Sequence, residues 1–158
     1  MVPDDNCQMA NKTNDTRHIT VGAWTKRCYL AGRAAMEAML RPYDIGTTQW
    51  YVLHYLAQDG PTMQRDLVQT LQVERATLSS IVGVLVRKGL VEQVPDCVDQ
   101  RQKLLHLTDA GSRLWNELPD LTVIHDAAFN GIDEASVATA IQVLQTATEQ
   151  LEKLIERK

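Results

Sequence analysis

Long apolar runs are missing from this chain of 158 residues. No stretch of about eighteen apolar residues occurs, which excludes a membrane-spanning helix. Cysteine is sparse: Cys7, Cys28 and Cys97 lie far apart, with no C-x-x-C. That spacing suits neither a disulfide framework nor a zinc site, and a reducing cytoplasm is the expected location. Aromatic residues make up only 5% of the chain. With Ala and Leu abundant, this favours helices over a β-sandwich. Excess positive charge is also lacking, since the formal net charge is −4. A nucleic-acid binder is usually basic, so charge alone identifies no such partner here.

Catalytic patterns are absent as well. His18, His54, His106 and His125 are scattered without an H-x-x-x-H, and no G-x-S-x-G, P-loop or dinucleotide glycine pattern occurs. Glu149, Glu152 and Glu156 alternate with Lys153 and Arg157 as on a solvated helix face. The expectation is no enzyme, no metal site and no cofactor. The polar N-terminus has no apolar core of a secretory signal. Residues 1–16 are expected to form a disordered arm.

What is present is apolar periodicity. Trp24, Cys28, Ala31, Ala35 and Met39 form one stripe of a long helix that Pro42 ends. Thr47 or Thr48 is placed to cap a second helix carrying Trp50, Val52, Leu53 and Leu56. Asp59-Gly60-Pro61 stops it, and Thr62 is expected to cap a short third helix. The next helix, about 74–88, buries Leu78, Ile81, Val82 and Leu85 and ends at Gly89. Residues 90–94 and 103–107 pair as strands around a polar loop. Thr108 caps a helix expected to continue, kinked at Pro119, to about Asn130. A last helix runs from Asp133 to about Glu156.

Helix, turn, helix and hairpin in this order make a winged helix: a mainly α fold with a small β-wing. Its second motif helix, about 74–88, is built to enter a major groove. Arg75, Ala76, Thr77, Ser79 and Ser80 lie opposite its buried residues. Arg75 suits a guanine O6/N7 edge, and Thr77 and Ser80 suit base edges or phosphates. Thr62, at an expected helix start, is a phosphate-contact candidate. Arg101 and Lys103 on the wing, about 90–107, are candidates for the minor groove or backbone. Each of these residues also has a plain reading, as a cap or a solvated charge. Between Pro61 and Lys103 six cations face five anions, so the pattern carries the inference and charge does not.

The sequence resembles the multiple-antibiotic-resistance regulator (MarR) family over about Val21 to Glu156. The most specific matches are Gly89 before a strand, Asp99 and Arg101 at the wing tip, and Leu107, Thr108 and Gly111 at a helix start. An aspartate at the bend, Asp99, can orient the arginine. Departures from the family pattern are Gln72 for a turn glycine, Glu74 for an aspartate cap, Gly83 and Val84 at polar positions, and Gln100 for a second arginine.

The resemblance implies a MarR-type domain over 17–158. Within it, 46–108 is the winged helix-turn-helix, and 17–45 and 109–158 are dimerisation helices. It further implies a cytoplasmic homodimer that binds a palindromic operator in double-stranded DNA, as a repressor, and is released by a small aromatic carboxylate or phenolic effector. The candidate lining of the effector cleft is Trp24, Arg27, Cys28 and Ala31 with Gln49, Trp50 and His54. The tryptophans and His54 are equally core candidates. Two alternatives stay open: oxidant sensing through Cys28, and a winged-helix module for protein contacts.

Overall fold

The computed structural model describes residues 20–95 and 102–156. The expected N-terminal arm, and Asp99 and Arg101 at the wing tip, lie outside them.

The described residues are mostly helical. α1 (Val21–Leu40) starts at Thr20, whose hydroxyl oxygen accepts from the Ala23 amide at 3.1 Å. It ends at a single 3-10 turn, Arg41–Tyr43, which contains Pro42. Asp44 then takes a left-handed conformation, φ 54°, and turns the chain into α2 (Thr47–Asp59). The cap of α2 is not a threonine. Gly46 occupies that position, and its amide donates to Gln49 Oε1 at 3.1 Å. Thr47 is instead buried in the first turn.

The expected Thr62 cap is also displaced. Thr62 and Met63 form a two-residue strand, β1, paired with Leu105 and Leu104. Met63 precedes α3 (Gln64–Leu71), and the Thr62 hydroxyl donates to the Gly60 carbonyl at 2.9 Å. Strand pairing with a segment forty residues away outweighs the local capping preference of threonine. At the far end of α3, Gln72 adopts a left-handed conformation, φ 51°. That is the conformation for which glycine is best suited.

α4 (Arg75–Arg87) follows, with Glu74 at its cap position but making no side-chain capping bond. β2 (Val91–Pro95) and β3 (Lys103–Leu107) form the wing, and β3 lies between β1 and β2 in an antiparallel sheet. The expected kinked helix is two helices, α5 (Asp109–Glu117) and α6 (Thr122–Phe129). Leu118, directly before Pro119, is extended at φ −63°, ψ 146°. The proline ring pushes its predecessor out of the α region, so the helix breaks rather than bends. α7 (Glu134–Glu156) begins at Asp133, which accepts from the Ser136 amide at 2.9 Å and hydroxyl at 2.6 Å.

One hydrophobic core lies within the winged helix. Leu53, Leu56, Leu67, Leu78, Val82, Leu85, Val91 and Leu105 are its buried centre, drawn from α2, α3, α4, β2 and β3. No residue of α6 or α7 is buried.

Candidate nucleic-acid interface and the adjoining cleft

The face of α4 follows from its sequence. Leu78, Val82 and Leu85 recur at helical spacing and are buried. Arg75, Ala76, Thr77, Ser79 and Ser80 are consequently turned to solvent. The five sequence candidates therefore form one exposed patch on the first two turns. Lys103 is exposed at the start of β3. Thr62 sits in β1, two residues before α3, with its hydroxyl engaged by Gly60.

The wing is fastened to the end of α4. Gly89 terminates the helix with φ 69°, and its carbonyl accepts from the Thr108 hydroxyl at 2.6 Å. The Thr108 amide donates to the Leu90 carbonyl at 3.1 Å. The same Thr108 hydroxyl oxygen accepts from the Gly111 amide at 2.9 Å and so caps α5. Gly111 is pressed against this junction. A Cβ there would overlap the Leu90 carbonyl oxygen and lie 3.0 Å from Leu107 Cδ2. The threonine and glycine of the helix-start motif thus bind three elements into one rigid joint. Lys88, the C-cap of α4, donates to the Asp44 carbonyl and pairs with the Asp44 carboxylate at 2.7 Å. This second tie joins α4 to the turn that follows α1.

A cleft of about 1240 Å³ opens between α1, α2, α5 and α6. Trp50 and His54, one turn apart on α2, stack with ring centroids 4.9 Å apart and planes 11° apart. Trp115 from α5 tilts against both at 5.6 Å. Two hydrogen-bonding atoms among the lining residues, Thr47 Oγ1 and His54 Nδ1, are buried without a partner. Such atoms ordinarily find one.

Of the seven sequence candidates for this cleft, Cys28, Ala31, Trp50 and His54 line it. Trp24 and Arg27 lie beyond its rim. Trp24 is exposed on α1, and the Arg27 guanidinium covers its ring at 5.1 Å. Gln49 is engaged in capping α2. Trp115 and Arg33 are lining residues that the sequence reading missed. Arg33 pairs with Glu37 at 2.9 Å, and that hydrogen bond holds its guanidinium pKa above the usual value. Ala110, Leu114 and Leu118 do recur at helical spacing beside Trp115, but nothing local says that this face meets α2.

Among the described residues, no group of histidine, cysteine and acidic side chains is arranged to hold a metal ion.

The comparisons with known proteins fit this architecture. A family model described as the MarR family matches residues 43–102, which span α2 to the wing. The chain is 26% identical to the HTH-type transcriptional regulator FarR of Neisseria gonorrhoeae over 129 residues, covering 79% of this chain and 86% of FarR. It is 24% identical to the HTH-type transcriptional repressor IacR of Pseudomonas putida over 132 residues, or 83% and 79% of the two chains. Its fold matches that of a MarR variant from E. coli complexed with operator DNA, with a TM-score of 0.76 at 23% identity, covering 85% and 99% of the chains. It also matches BpsR of Bordetella bronchiseptica, whose DNA binding is regulated by 6-hydroxynicotinic acid, with a TM-score of 0.71 at 23% identity over 81% and 98%. Over residues 43–102 the chain is thus similar to the MarR family, and the relatives it resembles over most of its length are transcriptional regulators.

Proposed function

We propose that this regulator is a repressor that binds a palindromic operator as a homodimer and leaves it when a small aromatic acid or phenol occupies the cleft. The observation that carries this reading is the exposed patch of Arg75, Ala76, Thr77, Ser79 and Ser80 on a helix whose far end is locked to a wing. Arg75 reaches a guanine edge, the hydroxyls reach bases or phosphates, and Lys103 with Arg101 and Asp99 supplies the wing contact. Thr62 is retained as a backbone contact only through the nearby start of α3.

Dimerisation is supported by the apolar residues that α1 and α7 leave uncovered, among them Val21, Leu30, Ile141, Leu144, Leu151 and Ile155. Two copies joined through these helices would space their recognition helices for half-sites about one DNA turn, ~34 Å, apart. The units of function would then be 46–108 for DNA and the flanking helices for assembly.

The cleft suits a planar ring with hydrogen-bonding substituents. Trp50, His54 and Trp115 supply aromatic faces, and Thr47 Oγ1 and His54 Nδ1 lack partners that a carboxylate or hydroxyl would provide. An effector acts only through differential affinity: it must bind the form with misplaced recognition helices better than the DNA-competent one.

The test is binding of the full chain to duplexes from upstream of its own gene, measured by fluorescence anisotropy across a range of salt. A steep loss of affinity with rising salt is expected, because phosphate contacts release counterions. Absence of binding to every palindromic fragment at low salt would sink the reading. Benzoate- and phenol-type acids should quench the cleft tryptophans and release the DNA; quenching without release would separate the cleft from regulation.

A further inference from the structure

A line of polar side chains connects the wing to the recognition helix. On β3, Lys103 Nζ donates to Gln93 Oε1 at 3.4 Å. On β2, Gln93 Nε2 donates to Gln64 Oε1 at 3.1 Å. Gln64 opens α3, and its Nε2 donates to Ser79 Oγ on α4 at 2.9 Å. The sense of the line is fixed by its first member. An ammonium has only protons to give, so Gln93 must turn its oxygen to Lys103 and its NH2 to Gln64. Gln64 must then accept with its oxygen, and its NH2 faces Ser79.

This decides what Ser79 has left to offer. Its oxygen already accepts from Gln64, and its proton meets no acceptor among the described residues. Four other helical hydroxyls behave differently. Thr25, Thr70, Thr139 and Thr148 each return their proton to the carbonyl four residues back. Ser79 alone among these five presents its proton outward, from an exposed position on the DNA-facing patch. In a major groove the acceptors are guanine O6 and N7, adenine N7 and thymine O4, whereas the amino groups of cytosine and adenine donate.

We propose that Gln64 is a specificity-determining positioning residue: it holds the Ser79 hydroxyl as a donor toward an acceptor base edge, and Gln93 ties that setting to the wing. The proposal rests on the DNA-binding reading above. Gln64 acts through Ser79.

The experiment is selection of duplexes from a randomised pool by the full wild-type chain, followed by affinities for every single-base change in the selected site. Ser79→Ala should erase preference at one base position in each half-site. Gln64→Leu should erase preference at that same position and weaken binding roughly tenfold, the scale of one lost base contact. The double variant should bind no more weakly than Ser79→Ala. Gln64→Glu offers only acceptors, so it should take the serine proton and turn the preferred base toward one with a donor edge. Should Gln64→Leu fail to fold, as judged by its melting transition, Gln64→Glu decides alone. Uniform weakening at all positions, or unchanged preference in the Gln64 variants, would overturn the proposal. Unchanged preference in Ser79→Ala would do the same. Failure of the wild-type chain to select any duplex would overturn the DNA-binding reading, and this one with it.

Discussion

The winged helix and the terminal helices spend similar apolar residues in opposite ways. Among the described residues, all twelve core hydrophobics lie between Leu40 and Leu105. In α7, by contrast, only Val137 is even partly buried, and Ile155 is 73% exposed. The central unit satisfies itself: its helices and sheet close over one another, and its joint at Thr108 engages both the amide and the hydroxyl of that residue. The ends do not. Exposed apolar area on this scale marks a surface made for contact. One region closes over its apolar residues, and the other leaves them open.

The sharpest way to break the contrast is at the joint. Gly111→Ala forces a methyl onto the Leu90 carbonyl, where backbone and not a flexible side chain must yield. We expect a loss of about 3 kcal/mol in urea denaturation, at the upper end of overpacking costs. A loss under about 0.5 kcal/mol would mean that the junction is looser than described.

The complementary experiment leaves the core alone. Leu144→Asp with Leu151→Asp should leave the fold of the central unit intact but yield a monomer in analytical ultracentrifugation. Operator affinity should fall roughly 100-fold, because two half-sites are no longer engaged together. A double variant that stays dimeric would place the interface elsewhere.

Arg75→Ala sharpens the contrast from the side of function. It should cost roughly 1–3 kcal/mol in DNA affinity with no change in melting temperature or assembly, as befits an exposed side chain. Gln72→Gly works in the other direction. Relief of the left-handed turn should stabilise the chain by about 0.5–1 kcal/mol.

The smallest expected effect concerns the start of α7. Hydrogen bonds from the Ser136 side chain, then its backbone, hold the Asp133 carboxyl below the usual carboxylate range. A depressed folded-state pKa means that this stabilisation is fully present above the unfolded value. It is lost as pH falls through the folded one. The hydrogen-exchange protection of the first turn of α7 should therefore decline only in acid, and Asp133→Ala should remove the pH dependence.

What was legible in the sequence was local. Leu78, Val82 and Leu85 at helical spacing, Gly89 after a helix and Thr108 before one are decided within a few residues, and each holds in the structure. What was illegible depends on distant segments. Thr62 looked like a cap because the pairing with Leu105 that makes it a strand lies far along the chain. Trp24 is a lining candidate beside Trp50 in the sequence, whereas Trp115 stands there, carried in by a helix whose place only the whole fold determines. The glutamine line from Lys103 to Ser79 joins four elements and leaves no periodic trace at all.

The joint at Thr108 has a mechanical consequence. Thr108 caps the same helix that carries Trp115 into the cleft, about two turns further on. α5 thus spans directly from the end of α4 to the aromatic rings of the cleft, so the two sites share one continuous helix rather than a loop.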